Sequence, residues 1–247
     1  MRKVILYMAL PVVAVIFLVV LSGYFGPSGV QYATVEGRVV DKLSQGWVWG
    51  VQITVGGKTT SRYVSETYYL DEIKPGSYTL VAIAPNYYQF KKDVILKEGT
   101  NVVDISIEGR EIPGLEGIEV FTSTIDEGIE LEIVFLDSEW EIIKRYPCLP
   151  LRLEGTLFLD VGRVRSEKGR KVFEGPIELF WDTDAALGNN KGIIPWEKID
   201  IKREDEDKEK KVIILKDYGI LELILHTPQG DFKQTRMGVP LFQVPEG

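Results

Sequence analysis

Two patterns of hydrophobic positions divide the chain. From Val4 to Phe25, 22 residues carry no charge, and nearly all of Val4 to Leu21 is apolar. From Ala33 onward, apolar residues alternate with polar ones. Val35, Gly37 and Val39 alternate with Glu36 and Arg38, and Val51, Ile53 and Val55 with Gln52 and Thr54. Tyr78, Leu80, Ala82 and Ala84 form a third set, and Val103, Ile105 and Ile107 a fourth. A period of two is that of a half-buried strand, and no stretch shows the three-and-four spacing of an amphipathic helix. Gln45-Gly46, Gly56-Gly57, Pro75-Gly76, Pro85-Asn86 and Glu98-Gly99-Thr100-Asn101 separate the runs. Short strands broken in this way predict an antiparallel sandwich.

The amino-terminal run predicts a single transmembrane helix. At ~1.5 Å per residue it reaches roughly 33 Å, enough for a hydrocarbon core about 30 Å thick. Pro11 is tolerable within it, with a kink. A cleaved signal peptide is the alternative. Its apolar core is shorter and ends at small residues, whereas Ser22-Gly23 is followed here by Tyr24. Arg2 and Lys3 precede the span and no charge follows it until Glu36. The positive-inside rule therefore keeps the amino terminus cytoplasmic and puts the rest of the chain outside the membrane. The Gly- and Pro-containing stretch from residue 26 to 32 reads as a tether.

Beyond the tether, one segment has a recognisable order of residues. Val35-x-Gly37-x-Val39-x-Asp41 is followed by Gly50-Val51-x-Ile53-x-Val55. Then come Tyr69-x-x-x-Ile73-x-Pro75-Gly76-x-Tyr78-x-Leu80, Ala84-Pro85-x-Tyr87 and Gly99-x-Asn101-x-Val103-x-Ile105. This resembles the carboxypeptidase regulatory-like domain, also called transthyretin-like or prealbumin-like, over residues 33–109. Pro75-Gly76 supplies a turn, Gly37 permits a close approach, and Tyr78 and Tyr87 combine an apolar ring with a polar tip. Ser65-Glu66-Thr67 departs from the Asp-Gly that the family usually carries there. The resemblance implies a seven-stranded sandwich of the kind used as an accessory, folding or adhesion module, without catalytic residues.

Glu111 to Gly117 reads as a linker, after which alternation resumes. Ile129 to Phe135, Leu151 to Val161, Val172 to Trp181, Val212 to Leu215 and Ile220 to Leu225 are strand-like. The expected fold is thus all-β: two tandem antiparallel β-sandwich domains after one N-terminal transmembrane helix. The anchor is 1–25, the tether 26–32, the first sandwich 33–109 and a second sandwich of no recognised family 110–247. Lys202 to Lys211 is a run of ten charged residues with no net charge. It reads as a solvated hairpin tip, or else as a docking surface.

Composition narrows the function. The net charge is −8. It divides into +2 before the span, −1 over residues 33–109 and −9 over residues 110–247. An acidic chain argues against nucleic acid, and neither a P-loop nor a dinucleotide fingerprint supports nucleotide use. Cys148 and His226 are the sole residues of their kinds, which excludes a disulfide framework and a Cys/His zinc site. Asn and Gln are scarce, and Lys and Glu lead the charged residues. That balance points weakly to a thermophilic source.

Candidate chemistry is sparse. His226 lacks a G-x-S-x-G partner and reads as an edge-of-core histidine. Cys148, between Pro147 and Leu149-Pro150, reads as a structural thiol. Asp182-Thr183-Asp184 with Asn189 and Asn190 offers hard oxygen ligands for Ca²⁺, but not the EF-hand pattern; a polar surface turn is the simpler reading. No metal or other cofactor is expected, and no catalytic residue. Trp47 and Trp49 are the candidate ligand-binding residues, because two indoles on one loop can stack on sugar rings or dock a partner. Their alternative role is to cover the end of the sandwich. The expectation is a membrane-anchored extracytoplasmic module that binds a protein or glycan partner in the cell envelope. An accessory subunit of an envelope enzyme or transporter, and a carboxylate-based hydrolase of envelope polymers, are the alternatives.

Overall fold

The computed structural model describes residues 31–62, 66–162, 165–185, 187–201 and 218–241. The expected membrane span, the charged run from Lys202 and the strand at Val212 to Leu215 lie outside the described residues. Among the described residues no helix is long and apolar enough to cross a membrane. They form an all-β structure of four four-stranded sheets, plus one 3₁₀ turn at Trp196–Lys198.

The first two sheets come from residues 33–107. The strands are β1 (Ala33–Asp41), β2 (Val51–Val55), β3 (Lys58–Arg62), β4 (Thr67–Ile73), β5 (Gly76–Ile83), β6 (Phe90–Leu96), β7 (Gly99–Val102) and β8 (Ile105–Ile107). One sheet has the order β3-β2-β5-β6; in the other, β4 and β7 flank β1, and β8 also pairs with β1. The alternating residues Val35 and Val39, Val51, Ile53 and Val55, and Leu80 and Ala82 all enter one buried cluster with Ile105 and Ile107. Tyr78 and Tyr87 pack against it, and the Tyr78 hydroxyl donates to the Lys74 carbonyl at 2.8 Å.

This half is not purely antiparallel, as the alternation was expected to mean. β7 runs parallel to β1 along Ala33 to Glu36, and β8 continues parallel along Val39 to Asp41. Alternation assigns faces to residues, not directions to neighbouring strands. Three strands also went unread. β3 is mostly polar, β4 mixes its charges among apolar residues, and β6 is an edge strand that carries Lys91 and Lys92. Lysines on an edge discourage pairing with another chain.

The gap between β7 and β8 falls opposite Gly37. A Cβ on Gly37 would stand 2.1 Å from the Val103 carbonyl oxygen. Val103 N–H donates to the Glu36 carbonyl at 2.8 Å, and Arg38 N–H donates to Asp104 Oδ1 at 2.8 Å. The buried Tyr68 hydroxyl, on β4 across from Gly37, donates to the Val103 carbonyl at 2.6 Å. The missing side chain thus lets the edge line bend inward and satisfy its own carbonyl.

The remaining strands are β9 (Gly117–Ile125), β10 (Gly128–Leu136), β11 (Arg152–Asp160), β12 (Lys168–Ile177), β13 (Leu179–Trp181), β14 (Asn190–Pro195), β15 (Tyr218–Thr227) and β16 (Gly230–Pro240). They form the sheets β13-β14-β10-β9 and β12-β11-β15-β16, all paired antiparallel. Ile129, Leu131, Ile133, Leu153, Leu157, Leu221 and Leu223 fill a second buried cluster between them.

The stretch expected to be a linker is packed instead. Ile112 and Leu115 belong to the second cluster and are 1% and 9% exposed. Ile112 N–H donates to Gln229 Oε1 at 3.4 Å, and Gln229 Nε2 donates to the Ile112 carbonyl at 2.5 Å. Burying one isoleucine of this kind contributes about 1.5–3 kcal/mol. Proline and glycine in Glu111 to Gly117 read as breaks, but its two apolar residues decided where the segment lies.

Candidate functional site

The two clusters meet at the carboxyl end of β1. Asp41 closes that strand and is 2% exposed. Its Oδ1 accepts the N–H groups of Leu43 at 2.9 Å and Ser44 at 3.0 Å, the usual way an aspartate holds a turn. Its Oδ2 accepts the Tyr87 hydroxyl at 3.0 Å and the Cys148 N–H at 3.1 Å. One carboxylate therefore ties β1, the loop after β5 and the segment leading into β11. Four donors meet the requirement that a buried charge be fully hydrogen-bonded.

Gly109 completes the contact. Its neighbours pair with residues 86–88 through Arg110 N–H to the Asn86 carbonyl and Tyr88 N–H to the Glu108 carbonyl. A Cβ there would stand 2.6 Å from Pro147 Cβ and 2.9 Å from the Cys148 carbonyl oxygen. Only a glycine allows backbones so close.

Beside this contact opens a cleft of about 340 Å³. The turn held by Asp41 leads into Trp47-Val48-Trp49. Val48 is buried at 2%, so the period of two turns both indoles outward, Trp47 to 51% and Trp49 to 37% exposure. Both indoles line the cleft. From the other side it is lined by Lys144, Arg145, Trp181 and Asn189. The Arg145 guanidinium lies 5.2 Å from the centroid of the Trp49 ring, a cation–π distance. Tyr146 supports this wall: its ring meets Trp181 edge-on at 5.5 Å and Phe135 at 4.8 Å. The Tyr146 hydroxyl accepts the Asn189 N–H and Asn190 Nδ2, each at 3.3 Å.

Three acids around this contact, Cys148, Tyr146 and Tyr87, are held in their neutral forms. Burial, then the Asp41 charge, pushes the Cys148 thiol up to about 12. Burial outweighs the two asparagine donors and pushes the Tyr146 hydroxyl up to about 12. Burial also raises Tyr87, and the Asp41 charge and the hydrogen bond to it act in the same direction. A thiol needs its thiolate to react. At pH 8 the native thiolate fraction is about a thousandfold below that of a free cysteine, so Cys148 is expected to alkylate with iodoacetamide at least ~100-fold more slowly in the native chain than in urea. Comparable rates in the two states would show that the thiol is neither buried nor near the carboxylate.

The other candidates fall elsewhere. His226 closes β15, with Nδ1 2.7 Å from Asp231 Oδ1 and Nε2 3.6 Å from Glu154 Oε1. Among the described residues Nε2 has no hydrogen-bond partner. Asp182 meets Lys191 Nζ at 3.1 Å, and its Oδ1 accepts the Asp184 N–H at 2.9 Å. That N–H, and then Lys191, hold the Asp182 carboxyl below its ordinary value. Among the described residues no three His, Cys, Asp or Glu side chains group as metal ligands. The sequence marks Asp41 and Tyr87 only as parts of the family resemblance, without placing them at a site, and it does not mark Gly109 or Arg145 at all. The spacing of Asp41 and Ser44 is an Asx-turn signal, but nothing local marks a bond between positions 41 and 148.

No family model matches the chain, and no curated protein matches it. Among solved structures, a DUF3823 family protein from Bacteroides ovatus aligns at 12% identity and a TM-score of 0.27, covering 85% of this chain and 100% of that one. A DUF3823 family protein from Parabacteroides merdae aligns at 13% identity and a TM-score of 0.26, covering 86% and 99%. BcpA, the major pilin subunit of Bacillus cereus, aligns at 12% identity and a TM-score of 0.29, covering 85% and 69%. At TM-scores of this size the likeness bears on neither fold nor function.

Proposed function

We propose that this chain is a non-catalytic binding module of the cell envelope, held at the membrane by residues 1–25 and facing outward. In this reading residues 26–32 form a tether, and 33–109 and 110–247 are two β-sandwich domains, each built around its own buried cluster. The ligand is a glycan, bound in the cleft where the domains meet. The observation that carries this reading is the pair Trp47 and Trp49, turned outward by buried Val48 beside a cleft of about 340 Å³. Ligand sites commonly fall at such domain junctions, at about this size. The thiol of Cys148, kept protonated by burial and by Asp41, supports a role without thiolate chemistry.

The test is a titration of the full chain in detergent micelles with peptidoglycan fragments and plant or bacterial oligosaccharides, read by tryptophan emission. Binding should quench or shift the emission. Trp47→Ala should weaken binding about tenfold, the loss of one stacked ring. Unchanged emission with every sugar, while both indoles stay open to acrylamide, overturns the glycan reading.

A further inference from the structure

We infer that the cleft selects sugars carrying a carboxylate, with Lys144 and Arg145 as the residues that recognise the charge. This rests on the glycan reading above and narrows it. The chain carries a net charge of −8, yet the cleft is basic. Lys144 and Arg145 stand side by side in its wall, and Asp41 is the only carboxylate among its described lining residues.

Asp41 is not available to oppose them. It is buried, and its two oxygens already accept Leu43 N–H, Ser44 N–H, the Tyr87 hydroxyl and Cys148 N–H. Neither Lys144 nor Arg145 forms a salt bridge with a carboxylate among the described residues. Three nearby acids have partners of their own: Glu108 pairs with Lys42 and Asp182 with Lys191, and Glu132 accepts the N–H groups of Leu187 and Gly188.

The Arg145 guanidinium also lies 5.2 Å from the centroid of the Trp49 ring, which puts its charge beside the indole face. An exposed indole next to a guanidinium and a lysine matches a ring with an apolar face and an anionic substituent, which describes a uronic acid. Charge-assisted hydrogen bonds are the stronger kind, and a guanidinium suits a carboxylate geometrically.

The experiment compares tri-galacturonate with galactotriose on the full chain in detergent micelles, read by tryptophan emission and calorimetry. The acidic trimer is expected to bind at least about tenfold tighter than the neutral one. That preference should shrink between about 0.05 M and about 0.5 M NaCl. Lys144→Gln should reduce the preference for the acidic trimer, and Arg145→Gln should reduce it more. Lys144 is an exposed residue, so its variant tests the idea even where loss of Arg145 disturbs Trp49. Equal binding of the two trimers, or a preference unchanged by Lys144→Gln, overturns the charge selection and leaves the glycan reading standing. No binding of either trimer overturns the charge selection, and the glycan reading then stands or falls on the wider sugar titration above.

Discussion

Gly37→Ala is expected to destabilise the first half of the described structure by about 3 kcal/mol or more, the upper range for overpacking against backbone. The added methyl carbon meets the Val103 carbonyl oxygen at 2.1 Å. That atom cannot swing away as a side chain would, because three hydrogen bonds hold its surroundings. Val103 N–H is bonded to Glu36, Arg38 N–H to Asp104, and the carbonyl itself to the Tyr68 hydroxyl. Relief requires β7 and β8 to peel from β1, which exposes Val103 and Ile105. For a unit of this size the loss corresponds to a fall in melting temperature of about 10–20 °C. Tyr68→Phe separates the two contributions: it removes one buried hydrogen bond without any clash and should cost about 1–2 kcal/mol. Circular dichroism of the two variants measures both. A Gly37→Ala chain that melts within a degree or two of the parent would mean that the edge line does not close on β1 at this point.

The same region shows how far the sequence is readable. The inward residues of β1, β2 and β5 stand out because a period of two has one physical cause, a buried face opposite a wet one. Gly37 could be singled out as a close approach, since glycine inside a strand weakens it unless something fills the space. What it approaches lay beyond reach. Val103 is far along the chain, and its strand runs parallel to β1, a direction that alternation does not encode. The cleft follows the same division. Trp47 and Trp49 could be named as two indoles on one loop, with their facing left open between a ligand and the end of the sandwich. Nothing in the sequence sets Lys144 and Arg145 apart from other charges, since only tertiary packing brings them into the cleft with Trp49. Asp41 illustrates the limit best. Its bonds to Leu43 and Ser44 are local and legible, whereas its bonds to Tyr87 and Cys148 exist only once two separate cores have formed. Ile112 and Leu115 misled for the opposite reason: turn residues around them suggested a loose linker, and their apolar side chains found a core.

Alkali should unfold the chain through the groups that its core keeps protonated. Tyr146 and Cys148 both rise to about 12, from ordinary values of 10.0 and 9.0. Tyr68 and Tyr87 are pushed upward too, each by burial first and then by a neighbouring carboxylate, Asp104 for Tyr68 and Asp41 for Tyr87. All four are acids whose neutral form the fold favours. The native state therefore holds protons that the unfolded chain has released, and stability falls as pH rises wherever this difference exists. Their contribution is complete below about pH 9 and is lost progressively up to about pH 12 and beyond. Tyr146 alone accounts for about 2–3 kcal/mol over that window. Tyr87, Cys148 and Tyr146 lie around the Asp41 contact, so the junction should open first, before Tyr68 is exposed. The melting temperature is expected to hold level from about pH 7 to pH 9 and then to drop steeply. In an ultraviolet titration Tyr87 and Tyr146 should ionise in a cooperative step as the junction opens, and Tyr68 only with the loss of β-sheet signal. Tyr146→Phe should move that step to higher pH by removing one released proton, provided that Asn189 and Asn190 find water in place of the hydroxyl. Ionisation of these three rings near the ordinary value of 10.0, with the sheet signal intact, would refute their buried placement. A step that Tyr146→Phe leaves unmoved would assign the alkaline transition to Tyr87 and Cys148, the two groups that Asp41 holds directly.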